Sequence, residues 1–168
     1  MDAPALVAAL SRTPSALEAL FATTTADDSL WRPADGGWSL REIVGHLLAE
    51  ETGDFRARLR STLEDPARPW ETFDPEATVR ERGFQDQDLA ALLAAFRAER
   101  ARSVAWLETL ASPAWDAAHQ PRRGGPLRAG DLLASWAAHD ARHLQQIAKR
   151  LHGLAARHGA PYDVGYAG

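Results

Sequence analysis

Two histidines near the carboxyl end of the chain have the spacing of metal ligands. His139 and His143 lie in a segment, 131–152, that contains no proline or glycine. If that segment is helical, the two imidazoles are one turn apart on the same face and can bind one metal ion. Such a pair supplies half of a site, because a metal needs at least a third protein ligand. His46, in a second predicted helix, is the candidate for that ligand.

The same pair also fits a packed helix that binds no metal. Positions 132, 136, 139, 143 and 147 form one stripe of a helix, and its other members are Leu, Trp and Ile. The stripe predicts that both imidazoles face the core. Because a buried charged imidazole is costly without a partner, neutral histidines at these positions need either hydrogen bonds or a metal. The spacing alone leaves both alternatives open.

The composition limits the kinds of metal site and partner. The 168 residues, 45% of them hydrophobic and 25% charged, are typical of one soluble globular domain, so we expect 1–168 to be a single domain. The absence of cysteine excludes a disulfide scaffold, a thiolate nucleophile and sulfur-ligated zinc, which leaves His, Asp or Glu as metal ligands. The net charge of −4, with dispersed arginines, argues against a nucleic acid partner.

The chain carries no sequence signal for a membrane. No apolar run approaches the length of a membrane span, and the start, Met1-Asp2-Ala3-Pro4, lacks the basic residues and apolar stretch of a signal peptide. We therefore expect a cytoplasmic protein with a small-molecule substrate and no membrane partner.

Helical periodicity predicts four long helices. Residues 4–26 have a helical pattern with an interruption at Pro14, because Pro14 follows Thr13, a pair typical of a helix start. The main first helix should begin there, and the earlier Leu6, Val7 and Leu10 should form either a short leading turn or an extension. A capping box marks the start of the second helix, and Gly153 marks the end of the fourth. The four predicted segments are Pro14–Thr25, one that begins at Ser39–Glu42, Asp88–Ala111, and Gly130–His152.

A long segment separates the second and third helices. From Glu64 to Gln87, prolines and aromatic residues interrupt the helical pattern, which predicts a crossover rather than a tight turn. A crossover allows the next helix to run in the same direction as the last. No alternating strand pattern of convincing length is present. We therefore predict an all-α four-helix bundle with a long crossover between helices 2 and 3, a fold in which facing helices build metal sites.

Two carboxylates close to the histidines in the sequence differ in the roles that they could have at a metal site. Glu50 lies one turn beyond His46 and could be a hydrogen-bond acceptor behind a ligand, a fourth ligand or a general base. A surface carboxylate that pairs with an arginine fits the pattern equally well. Asp140 points about 100° away from His139 around the helix, which makes it a poor ligand.

A basic loop is a further candidate for substrate binding. The segment 112–129 is rich in proline and glycine and contains His119, Arg122 and Arg123. These side chains could meet an anionic substrate, but a solvated basic loop is the favoured interpretation.

These motifs resemble a known family, the DinB-like metalloproteins, over nearly the whole chain. The resemblance includes the crossover and the third helix. Its motifs are Trp38-Ser39-x-x-Glu42-x-x-Gly45-His46-Leu47, Phe73-Asp74, Gly125-Pro126-Leu127 and His139-Asp140-x-x-His143-Leu144-x-Gln146-Ile147.

The resemblance implies a fold, a metal and a class of reaction. It implies a bundle with up-down-down-up order and a divalent metal, nickel or zinc, held by His46, His139 and His143. Members with assigned chemistry use a low-molecular-weight thiol such as bacillithiol, mycothiol or glutathione, so the resemblance implies a metal-dependent S-transferase or hydrolase. It also implies a homodimer. Two alternatives are a non-catalytic protein that binds a metal or a small ligand, and a bundle that acts through association.

Overall fold

Four helical rods make up the structure, a computed structural model that describes residues 1–121 and 124–167. The second rod is continuous through a π-helical turn, and short 3-10 turns cover Phe84–Asp86 and Gly165–Ala167. In chain order the other elements are α1 (Ala3–Phe21), α2 (Ala26–Leu30), α3 (Leu40–Glu50), the π turn (Glu51–Phe55), α4 (Arg56–Glu64), α5 (Pro75–Arg82), α6 (Leu89–Glu108), β1 (Ala118–His119), β2 (Leu127–Arg128) and α7 (Ala129–Gly159).

The four rods are α1, α3 continued by the π turn and α4, α6, and α7. They form an all-α four-helix bundle with up-down-down-up order, as predicted. α1 packs against α6 and α7, and α3 packs against the same two helices. The crossover between α4 and α6 contains α5 and lets α6 run in the same direction as α3. β1 and β2 form a two-residue antiparallel pair just before α7. Within 1–121 and 124–167, no helix is long and apolar enough to cross a membrane.

A charged layer lies between two apolar clusters of the core. The Arg100 guanidinium is 4.9 Å from the centre of the Phe96 ring, in one cluster, and 5.6 Å from the centre of the Trp136 ring, in the other. Arg100 is 1% exposed and pairs with the buried carboxylates of Glu51 and Asp140. We call Glu51, Arg100 and Asp140 the buried ion cluster.

The predicted break at Pro14 is wrong, because α1 is continuous from Ala3 to Phe21. Proline lacks the N–H that would bond the carbonyl of Leu10. Arg100 Nη1 donates a hydrogen bond to that oxygen at 2.9 Å, so a side chain of α6 replaces the missing donor. The helix also ends before the predicted Thr25, whose hydroxyl caps α2 instead.

The predicted end of the last helix at Gly153 is also wrong, because α7 continues to Gly159. A Cβ atom at position 153 would lie 2.7 Å from the Trp31 ring. Gly153 therefore permits close packing of Trp31 on α7 and does not end the helix. The helix stops shortly before Pro161, because a proline disfavours helical geometry in the residue that precedes it.

Gly45 allows Phe84 to pack directly on α3. A Cβ atom at position 45 would overlap the Phe84 ring, which is 2% exposed. We expect Gly45→Ala to lower the free energy of unfolding by up to about 2 kcal/mol, because an overpacking cost of about 1–3 kcal/mol exceeds the gain of about 1 kcal/mol from alanine in a helix. Urea unfolding would measure the change. The control is Gly125→Ala, whose added Cβ would meet no atom of residues 1–121 or 124–167 within 4 Å, and equal changes in the two variants would contradict the prediction.

Candidate metal centre

α3 and α7 bring the three predicted histidines together. His46 Nε2 lies 3.2 Å from His139 Nε2, and His143 Nε2 lies 3.0 Å from the same atom. One nitrogen of each ring can be chosen so that all three lie within 4.8 Å of one another. The pair on α7 is one helical turn apart, and the bundle packing supplies His46 from the facing helix. The geometry is therefore that of a three-imidazole donor set.

The surroundings keep the three imidazoles neutral. Burial, and then the neighbouring imidazoles, lower the pKa of His46 to about 3. Burial, with His143 next in size, lowers the pKa of His139 to about 4, and burial lowers the pKa of His143 as well. A neutral imidazole keeps one nitrogen lone pair, which metal binding requires.

The hydrogen bonds of the rings indicate where those lone pairs are. His143 Nδ1 lies 2.8 Å from Oε1 of Gln146, an acceptor, so Nδ1 carries the proton and Nε2 has the lone pair. The ring of His46 packs against Trp38, with ring centres 4.7 Å apart. The three ring nitrogens lie within 4.8 Å of one another, and a single N–H group cannot provide a hydrogen bond for every lone pair among them. The donor set therefore fits a shared divalent cation better than mutual hydrogen bonding.

Glu50 lies at the same centre. Its Oε1 is 3.6 Å from His46 Nε2, and its Oε2 is 3.4 Å from His139 Nε2. The residue is 5% exposed, so the alternative of a surface carboxylate is wrong. Burial, and then the charge of Asp54, raise the pKa of Glu50 to about 7. A carboxylate with that pKa can both accept and release a proton near neutral pH.

The π turn begins directly after Glu50 and separates the roles of two consecutive glutamates. Glu50 faces the histidines, whereas Glu51 accepts hydrogen bonds from Arg100 Nε at 2.9 Å and from Trp136 Nε1 at 3.1 Å. Both glutamates are buried. π turns are rare and frequently occur at functional sites. A pattern search that assumes a regular helical period does not detect this one.

A pocket of about 760 Å³ opens onto the histidines. One wall is the face of α7 that carries His139 and His143, and the loop before α3 forms another. The centre is therefore open to a small molecule on one side and closed by the bundle core on the other. The lining residues are Gly36, Gly37, Trp38, His46, Glu50, Glu76, His139, Arg142, His143, Gln145, Gln146 and Lys149.

The sequence profile of the DinB superfamily matches residues 9–147. The chain belongs to the DinB superfamily. The matched range contains all three histidines and Glu50, so the candidate centre lies within the part of the chain that defines the family.

One solved structure similar to this DinB-superfamily chain is YfiT from Bacillus subtilis. The TM-score is 0.78 at 21% sequence identity, and the match covers 94% of this chain and 87% of YfiT. YfiT is described as a probable metal-dependent hydrolase with an unusual four-helix bundle topology. At this identity the likeness establishes the shared fold. No curated protein in the comparison matches the chain.

In this DinB-superfamily structure, His119 does not reach the pocket. It is 7% exposed, its ring stacks on Trp70 with centres 4.1 Å apart, and its Nδ1 lies 3.0 Å from the carbonyl oxygen of Pro66. His119 therefore packs against the crossover. For this residue both interpretations are wrong, the favoured one of a solvated loop side chain and the alternative of a substrate contact. Arg122 and Arg123, its predicted partners, lie outside the described residues.

Sequence patterns did not identify the buried ion cluster behind the DinB-superfamily centre. Asp140 pairs with Arg100, with Nη2 donating to Oδ1 at 3.0 Å, and this position agrees with the expectation that it is a poor ligand. Arg100 lies on the buried face of α6, which also carries Leu92, Phe96 and Leu107. The sequence signal for the cluster was an arginine among the apolar residues of a predicted helix, together with Asp140 beside His139.

Proposed function

We propose that this DinB-superfamily protein is a metal-dependent hydrolase whose divalent ion is held by His46, His139 and His143. The proposal rests on one observation, the convergence of three neutral imidazoles, two of them buried and that of His139 half-buried, beside a buried carboxylate at the base of an open pocket. The description of YfiT as a probable metal-dependent hydrolase on the same fold supports it.

Zinc or nickel is the metal that we propose for this donor set. Imidazole nitrogens suit both ions, and three of them leave coordination positions open, as in catalytic rather than structural sites. When bound, a divalent ion supplies Lewis acidity and lowers the pKa of a coordinated water or thiol.

Glu50 is the general base in this proposal. Its oxygens lie 3.4 and 3.6 Å from the ring nitrogens of two histidines, so a water molecule at the centre is within its reach. Glu50 takes a proton from the attacking water at a carboxylate oxygen and returns it to the leaving group as the scissile bond breaks. The rings of Trp38 and Phe55 pack against His46 and His139 and exclude water from those faces.

A thiol S-transferase at the same centre is the alternative. The chain has no cysteine, so the thiol would be a low-molecular-weight co-substrate, for which the pocket has room. The buried Glu50 favours hydrolysis, because a thiol that coordinates a metal loses its proton without a base, whereas water benefits from one. Thiols and electrophiles tested together with ester and amide substrates would distinguish transfer from hydrolysis, and binding without turnover would indicate a non-catalytic protein.

Metal content tests the donor set. We expect about one equivalent of metal in the wild-type protein, purified without an affinity tag, and little in His46→Ala, because one ligand from α3 completes the pair on α7. Mass spectrometry of the two proteins measures the metal. His152→Ala, which removes an exposed histidine from α7, is the control and should bind metal normally.

Equal metal content in the wild type and His46→Ala would contradict the proposed donor set. Hydrolysis that persists at full rate after exhaustive chelation would contradict the dependence on a metal.

Cellular location and partners are further parts of the proposal. We propose a cytoplasmic protein that acts on a small molecule, binds neither nucleic acid nor membrane, and forms a homodimer. Exposed apolar residues such as Leu20 on α1 could contribute to a dimer interface.

A further inference from the structure

The pocket in front of the histidines carries positive charge on its α7 wall. Arg142 and Lys149 line this wall together with the amide side chains of Gln145 and Gln146. Glu76, from α5, is the acidic lining residue besides Glu50. The charge therefore differs between the α7 wall and the side formed by the crossover.

Arg142 is available to bind a ligand. It is exposed and forms no ion pair or side-chain hydrogen bond with residues 1–121 or 124–167. Its side chain lines the same pocket as His139 and His143, so its charge lies next to the centre. Lys149 is less available, since its Nζ lies 4.0 Å from a carboxylate oxygen of Asp35.

The opposite lip of the pocket is held in place. Arg150 is 6% exposed, and its Nε donates a hydrogen bond to the Trp38 carbonyl at 2.7 Å. A Cβ atom at Gly37 would overlap the same guanidinium, so the loop packs tightly on α7. The Trp38 ring lies against His46 and, at 6.5 Å between centres, is stacked on His143. A ligand would therefore lie between a fixed aromatic wall and the cationic wall of α7.

We propose that the pocket selects substrates with a carboxylate group, which Arg142 binds while the scissile bond lies at the three histidines. This inference rests on the hydrolase function proposed above. A planar guanidinium binds a carboxylate through two parallel hydrogen bonds. The carboxylate and the scissile bond are separated by a short chain, because Arg142 is one helical turn from His139.

Two esters with the same leaving group test this selectivity on the zinc-loaded, full-length protein. They are mono-4-nitrophenyl glutarate and its methyl ester, which differ in the negative charge. We expect the wild type to prefer the anionic ester in kcat/KM, and Arg142→Met to reduce that preference about five- to tenfold, mainly through KM. Arg142→Lys should restore part of the preference.

The matched control is Arg12→Met. Arg12 is an exposed arginine of α1 that does not line the pocket, so its replacement should leave the preference unchanged. A reduction of the same size in Arg12→Met would show that net charge, and not the position of Arg142, causes the preference, and would overturn the inference.

A binding measurement separates this inference from the proposed function. Glutarate monohydroxamate and its methyl ester can be titrated calorimetrically into the zinc-loaded protein without turnover. Tighter binding of the anionic compound that is lost in Arg142→Met supports the inference even if neither nitrophenyl ester is hydrolysed. Zinc-dependent hydrolysis with the same ester preference in wild type and Arg142→Met overturns the inference and leaves the hydrolase function standing.

Discussion

Replacement of Glu50 by glutamine is expected to lower kcat by about 10²–10⁴-fold while the protein still binds metal. Glutamine keeps the size of the side chain but cannot accept the proton of the attacking water. The expectation depends on the position of Glu50, whose oxygens lie 3.4 and 3.6 Å from the ring nitrogens of His139 and His46. Steady-state hydrolysis by zinc-loaded protein, together with metal content by mass spectrometry, measures both effects.

The same variant distinguishes the three roles considered for Glu50. A general base predicts lost turnover with retained metal, whereas a fourth ligand predicts that metal affinity and turnover fall together. If Glu50 only accepts a hydrogen bond that orients a metal-binding histidine, metal affinity and turnover should both fall, but by less. Glu64→Gln, which alters an exposed carboxylate of α4 outside the pocket, is the control. Full turnover in Glu50→Gln would exclude proton transfer by this residue.

The arrangement of the histidines could be predicted because it depends on local spacing. The interval between His139 and His143 fixes their relative position once the segment is helical, and the apolar residues around them indicate that the pair faces inward. A capping box, which the structure confirms at Ser39, placed His46 in the second helix as a candidate, and the resemblance to the DinB-like family joined it to the pair. Such signals require no knowledge of the packing partners.

The features that sequence reasoning missed all depend on contacts between distant segments. Pro14 is tolerated within α1 because Arg100, far away in the chain, donates to the carbonyl of Leu10. Gly153 continues α7 because Trp31 occupies the space of a side chain. Local rules assign a helix start to a proline and a helix end to a glycine, and tertiary packing overrides both.

Replacement of Arg100 by methionine is expected to lower the free energy of unfolding by about 3–5 kcal/mol. Burial opposes the charge of Arg100, but hydrogen bonds and charges from Asp140 and Glu51 raise its pKa, so the cation persists. Without it, the buried carboxylates of Glu51 and Asp140 lose their cationic partner and the Leu10 carbonyl loses its donor, although Glu51 keeps the hydrogen bond from Trp136. Urea unfolding measures the loss.

Arg97→Met is the control for this prediction. Arg97 is also on α6, but its ion pair with Glu18 is exposed, with side-chain exposures of 63% and 37%. We expect a change of at most about 1 kcal/mol. Equal destabilisation by the two variants would show that the buried ion cluster has no special role in stability.

A triple variant, Glu51→Gln, Arg100→Met and Asp140→Asn, separates unpaired charge from lost packing. Most of the cost of breaking a buried ion pair comes from the charge left behind, so removal of all three charges should recover at least half of the lost stability.

The metal affinity of the triple variant should not recover together with its stability. Glu51 adjoins Glu50 and Asp140 adjoins His139, so Arg100 joins the two helices that carry the centre. We expect the triple variant to bind zinc about 10–100-fold more weakly than the wild type, because the groups that orient the ligands are lost. Wild-type affinity in a refolded triple variant would show that the cluster stabilises the bundle without positioning the metal ligands.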